Sequence, residues 1–309
     1  MPASSSAPER PPKALAALAL ALALAGCAEP AALADRAEVS RADRAAEPVV
    51  DGICGEGMVL VDGLYTPAAG HRCVQWLAEK SDRCAEYAPP PIVAGKKERF
   101  RFCVDRFEYP NLEGALPAVM PDWFDAKEAC EAEGKRLCNS SEWTLACEGT
   151  ELSPYPYGYR RDKDACNIDR PRPKPEPNFD VFDEPRKIAD EVFRLDLRVR
   201  SGEKERCVSP FGARDMTGNV DEWVVNDDHF APKKKDGDEK PPTSWVSGLK
   251  GGYWGPIRAR CRPMTTSHNP WFRFYQVGFR CCKDPSDGSF AGRRFPLPVR
   301  AKHRPKGAP

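Results

Sequence analysis

Thirteen cysteines give this 309-residue chain its widest chemical range, since a thiol can bind a soft metal, carry an acyl group or close a disulfide. Their spacing narrows the choice. No Cys-x-x-Cys occurs, and the four histidines, His71, His229, His268 and His303, are scattered, so zinc-finger and di-histidine metal chemistry are poorly supported. Setting Cys27 aside leaves an even number, which in an oxidising compartment reads as disulfides rather than metal thiolates. A second group mixes Trp254, Trp271, Phe272, Phe274 and Tyr275 with Arg258, Arg260, Arg262 and Arg273. Such a mixture suits peptide or sugar binding through stacking and hydrogen bonds, with core and rim packing as the competing reading. Trp254, Trp271, Phe272 and Arg273 are the candidate binding residues.

The N-terminus places this chemistry. Arg10 and Lys13 precede an unbroken Ala/Leu run over residues 14–25, too short to span a bilayer as a helix but of the length of a signal-peptide core. It ends in Leu24-Ala25-Gly26-Cys27, which resembles the lipobox of bacterial lipoproteins. That resemblance implies removal of residues 1–26, acylation of Cys27 and anchoring in a lipid membrane, for which several acyl chains suffice where one does not. Ala28 follows in place of the Asp that retains lipoproteins in the inner membrane, which favours the outer membrane. Residues 27–50 read as the lipidated cysteine and a flexible tether of about 25 Å. The folded part is expected in the cell envelope.

A formal net charge of +1 argues against a nucleic-acid-binding surface. With 32 prolines, 23 glycines and a mean hydropathy of −0.59, the chain is expected to form a loop-rich domain whose cross-links make up for a modest core.

The elements that must position these residues are few. Met58-Val59-Leu60-Val61 before Asp62-Gly63, and the alternating stretch 100–107, read as strands. Asp122 can cap a helix with Trp123, Ala126, Ala129 and Cys130 along its apolar stripe and Gly134 as its stop. Asn139 and Glu142 form a capping-box-like start for a second helix that turns Trp143, Ala146 and Cys147 inward. An insertion over about 160–206 holds a proline-rich run at 170–177, suited to polyproline II, and 188–199 reads as one amphipathic helix. Polar residues 227–244 read as a loop, and 285–309 as a basic, disordered, solubilising tail, with anionic lipid or wall polymer as an alternative contact.

Six motifs stand in one order: Asp125-Ala126, Gly134-Lys135-Arg136-Leu137, Glu142-Trp143, Gly218-Asn219-Val220-Asp221-Glu222-Trp223, Gly251-Gly252 and Gly278-Phe279-Arg280-Cys281. Together they resemble the sulfatase-modifying-factor domain of the formylglycine-generating enzyme family. The resemblance covers 51–284 and implies an α+β fold, a single loop-rich, disulfide-bonded domain of C-type-lectin-like kind. It also implies calcium, with Asp215 and Glu222 giving carboxylates, Gly218 and Val220 main-chain carbonyls, and Asn167 and Ile168 part of a second site. Family-like cross-links would join Cys147 to Cys281 and Cys166 to Cys261.

Enzymes of that family hold Cu(I) between two thiolates just after the twin glycines, where a soft ion finds soft ligands. Here the stretch from Gly251 to Arg262 holds Cys261 alone. Counted forward from the glycines, Cys261 falls on the second ligand and Pro256 on the first. Counted back from Gly278, Cys261 matches a structural cysteine and both ligands are missing. Either way one thiol stands where the chemistry needs two. The expected protein is a membrane-anchored binding or scaffolding lipoprotein whose partner is an envelope protein, peptide or glycan. The alternative is a copper-dependent formylglycine-generating-type oxidase with rearranged ligands, acting through Cys261.

Overall fold

A computed structural model describes residues 52–78, 82–184, 186–230 and 245–301. The expected signal segment, Cys27, the tether and His303 lie outside the described residues, as do positions 231–244 of the expected polar loop. In chain order the elements are β1 (Met58–Tyr65), β2 (Ala68–Trp76), β3 (Cys84–Ala94), β4 (Glu98–Asp105), α1 (Trp123–Ala132), β5 (Arg136–Leu137), α2 (Ser140–Glu148), α3 (Ile188–Leu195), β6 (Asp221–Val225), β7 (Ser247–Lys250), β8 (Met264–Thr265), β9 (Val277–Phe279) and β10 (Cys281–Lys283). The architecture is α+β, in one domain closed by six disulfides among the described residues.

Two four-stranded sheets carry the core. One has the order β1-β4-β10-β5, the other β8-β7-β6-β9. In β4 the apolar residues alternate, and Phe100, Phe102 and Val104 face a core completed by Val59 and Val61 of β1 and by Trp143, Ala146 and Cys147 of α2. A second core sets Trp123, Phe124, Ala126 and Cys130 of α1 against Trp223, Val225, Val277 and Phe279. Strand β6 separates the two: Val224 enters the first core, Trp223 and Val225 the second. The same alternation sends Glu222 and its neighbour Asp221 to opposite faces.

Both helices start where the sequence predicts. The Asp125 N–H donates to Asp122 Oδ1 at 2.8 Å and the Asp122 N–H to Asp125 Oδ2 at 3.1 Å, a reciprocal cap. The Asn139 N–H donates to Glu142 Oε2 at 2.9 Å. The helix expected over 188–199 ends early, at Leu195, the one residue of α3 that is fully buried.

Three features differ from the sequence reading or go beyond it. Hairpin β2–β3, unmarked by any strong turn signal, is largely exposed, and the Cys73–Cys84 disulfide and Tyr87 packing on Tyr155 hold a pair of strands that would be marginal alone. The stretch after Asp284 is no free tail as far as Ala301. It runs extended along the domain, setting Arg293, Phe295 and Leu297 inward, and Phe295 stacks on Phe230 at 4.5 Å. Arg293 pairs with Glu98 and Asp227, and Arg300 with Asp122 and Asp125.

The disulfide pairing is the third. Cys281 joins Cys130 and Cys282 joins Cys138, because adjacent strand residues point to opposite faces and β10 lies between the cores. Cys147 of α2 sits in the first core, out of reach of Cys281 in the second, and closes on Cys261 instead. Cys166 pairs with Cys207, so one bridge brackets the insertion.

Candidate functional site

The loop 215–222 comes first, since its oxygens are the expected calcium ligands. Gly218 adopts φ +84°, and a Cβ there would lie 2.3 Å from the Asn167 carbonyl oxygen, so only glycine lets the two segments meet. Asn167 and Ile168 are thereby packed against the loop, and the two expected ligand sets become neighbours. Asn167 Nδ2 donates to Asn219 Oδ1 at 3.1 Å and to the Leu197 carbonyl at 2.9 Å, and its own Oδ1 accepts from Arg170.

The carboxylates face protein donors. Arg280 donates to both oxygens of Glu222 at 2.7 Å, and Trp143 Nε1 donates to Glu222 Oε2 at 2.7 Å. Asp215 accepts the Gly202 N–H at 2.8 Å, and Glu108 accepts from Asn219 Nδ2 and the Val220 N–H. Burial pushes the Asp215 carboxyl up to about 6 and Glu108 well above the carboxylate range, with the neighbouring acids adding to the Glu108 shift. Both oxygens of Glu222 are thus already engaged by protein donors. Glu222 as it stands has no oxygen left for a metal ion, and among the described residues no group of three or more His, Cys, Asp and Glu is arranged to hold one.

Copper fares no better. Cys261 is bonded to Cys147 with Cα atoms 5.5 Å apart, and every cysteine among the described residues is in a disulfide. The thiolate pair a Cu(I) ion needs does not fit the residues present.

What the twin-glycine region does form is a polar cleft of about 350 Å³. Strand β6 pairs parallel with β9 and antiparallel with β7, so Asp221, Gln276 and Gly251-Gly252 converge at one end of the sheet. The Asp221 N–H donates to the Gln276 carbonyl at 2.9 Å. Gly251 takes φ +87°, with a Cβ position 2.9 Å from the Met216 carbonyl, which presses the loop onto the 215–222 turn. Burial raises the Asp221 carboxyl to about 7, against a lowering hydrogen bond from the Gly252 N–H. His268 lines the far wall, stacked on Phe272 at 3.8 Å, and burial pulls its pKa below the usual value. Arg172 and Arg258 line the cleft as well, and Arg258 lies 3.7 Å from Asp82.

The aromatic group divides. Trp254 is 1% exposed and packs with Leu195, Val220 and Tyr275, so it offers no stacking face to a ligand. Trp271 is half-buried against Phe124, in an apolar hollow away from the glycines. Phe272 packs between His268 and Trp223, and Arg273 pairs with Asp122 and Asp125 at the start of α1. No single groove joins the four. Asp221, Gln276, His268 and Arg172 escape sequence reasoning. The available signal is alternation, since Glu222 on the face of Val224 puts Asp221 on the opposite face, at the end of the strand.

Among the described residues no helix is long and apolar enough to cross a membrane. The sulfatase-modifying factor enzyme 1-like domain matches residues 94–285. The serine/threonine-protein kinase pkn1 of Chlamydia caviae is 24% identical over 175 residues, 54% of this chain and 24% of the kinase. The chain therefore spans about a quarter of the length of that curated relative. PvdO from Pseudomonas aeruginosa is a similar solved structure, with TM-score 0.41 at 17% identity over 74% of this chain and 94% of that one. CarF gives 0.39 at 15% identity over 74% and 97%.

Proposed function

The chain belongs to the sulfatase-modifying factor enzyme 1-like family, and from that premise we propose that it uses the fold as a binding or scaffolding module rather than as a copper oxidase. The observation that carries this reading is the Cys147–Cys261 disulfide, which leaves no thiol after the twin glycines. Copper chemistry there needs two free sulfurs. The cleft that remains is lined by hydrogen-bonding groups, which suits recognition of an envelope peptide or glycan.

We place the module at a lipid surface, held through an acylated Cys27 and the tether to residue 50, on the strength of the charged, apolar and small-residue pattern of the first 27 positions. The Ala28 position favours the outer membrane.

Two measurements test the reading. Purified protein should take up no stoichiometric Cu(I) and form no aldehyde in a peptide carrying Cys-x-Pro-x-Arg. A pulldown from envelope extract should lose its bound material when Asp221 and Arg258 are both changed to Ala. Copper uptake with aldehyde formation would make the protein an oxidase, and a pulldown indifferent to the double change would rule out the cleft as the binding site.

A further inference from the structure

The insertion builds one wall of the cleft. Its proline-rich segment lies against Tyr253, Trp254 and Tyr275, leaving only about 30 Å³ between them. The Arg170 N–H donates to the Trp254 carbonyl at 2.8 Å, and Phe179 stacks on Phe274 at 5.4 Å. Arg194 of α3 holds the Pro175 carbonyl at 3.0 Å, and Cys166–Cys207 ties the base of the insertion. Arg172 lines the cleft from an exposed position, carried by a strap whose backbone is held on both sides.

The floor has the opposite character. Gln276 lines the cleft, and its Oε1, closed off from solvent just beneath the surface, has no hydrogen-bond partner among the described residues. A buried acceptor left without a donor costs about 1–3 kcal/mol, so such an atom calls for a ligand group that donates. Asp221 lies beside it through the N–H bond to the Gln276 carbonyl, adding carboxyl oxygens. Arg172 and Arg258, with Asp82 beside Arg258, thus line one part of the cleft, and Gln276 and Asp221 another.

We propose that this cleft binds a small hydroxylated acid of the sugar-acid class, its carboxylate held by Arg172 and Arg258 and its hydroxyls donating to Gln276 Oε1 and Asp221. The proposal rests on the binding function proposed for the chain and names its ligand class. Arginine matches a carboxylate with two parallel N–H donors, while hydroxyls are the donors that suit a floor of acceptors. A neutral sugar would forgo the arginines, and a simple carboxylate would leave Gln276 without a donor.

Calorimetric titration of the full chain with glucuronate, glucose and acetate tests it. Glucuronate should bind at least about tenfold more tightly than either control, since a hydrogen bond to a charged group is worth a factor of that order. Arg172→Gln and Arg258→Gln change exposed side chains, leave the fold intact by circular dichroism and should each weaken glucuronate binding about tenfold. Gln276→Met should erase the preference for glucuronate over acetate. Acetate binding as well as glucuronate, or no glucuronate binding at all, overturns the proposal. If glucuronate fails while the Asp221/Arg258 change still alters the envelope pulldown, the ligand class is wrong and the binding function survives. Binding of a peptide through its C-terminal carboxylate in place of the sugar acid likewise overturns the ligand class and spares the binding function.

Discussion

Arg280 and Glu222 form a two-pronged ion pair inside the protein, both N···O distances being 2.7 Å and both side chains at most 1% exposed. The pair lies beside the two cores, and Trp143 of α2 adds a third donor to the same carboxylate. A single removed partner would leave a buried charge alone, which is costlier than the pair is worth.

Glu222→Gln should therefore destabilise the protein by roughly 3–5 kcal/mol, because Arg280 keeps its charge and loses its counterion. Arg280→Lys should cost nearly as much, since an ammonium cannot bridge both oxygens. Urea denaturation measures both. The same pair predicts that calcium or a chelator leaves the melting temperature unchanged, and a rise of several degrees with calcium would contradict the assignment of Glu222 to Arg280.

Buried groups set an unusual pH profile. Asp215, Asp221 and Glu148 have carboxyls raised to about 6, 7 and 7, each chiefly by burial. Their unfolded values lie near about 4, so between about pH 4 and 7 the folded chain holds more protons and stability falls as pH rises. Lys250 behaves oppositely. Burial pulls it down to about 7, so between about pH 7 and 10 the unfolded chain holds more protons and stability rises with pH. These four groups together predict a stability minimum near pH 7. Melting temperatures across pH 4–10 check it, and Asp221→Asn should flatten the acid side.

Removing residues 285–301 should cost roughly 3 kcal/mol or more. The segment contributes the partly buried Phe290, Phe295 and Leu297, of which each apolar side chain can give about 1.5–3 kcal/mol when fully buried. Its arginines, Arg293 and Arg300, also leave Asp227 and Asp122 with fewer counterions. A solubilising tail would come off with no change in thermal melting.

Gly218→Ala should destabilise on the order of 4 kcal/mol, combining a positive φ with a clash against the Asn167 carbonyl. Expression yield and thermal melting report it, and a near-neutral result would show that Asn167 and Gly218 do not touch.

Local signals are the legible part of this fold. Asp122 and Asn139 mark both helix starts because caps act within four residues, and alternation marks β4 because one face of it is buried. Pairing across the chain is not legible. Cys147 finds Cys261 and Cys281 finds Cys130 because β10 stands between two cores, and no local pattern encodes which core a residue enters. Trp254 fails as a binding residue for a related reason, since an aromatic beside a cleft and one beneath it look alike in sequence. The C-terminal stretch misleads through its composition, because arginines and prolines that suggest a solvated tail here meet carboxylates of α1 and β4.

Peptide mapping without reduction, after alkylating free thiols in the folded protein, tests most directly whether the fold has closed the sulfurs that a copper oxidase would need. The expected result is a fragment joining Cys147 to Cys261 and no alkylated cysteine between residues 52 and 301. An alkylated Cys261, freed from Cys147 and able to ligate a metal, would contradict it.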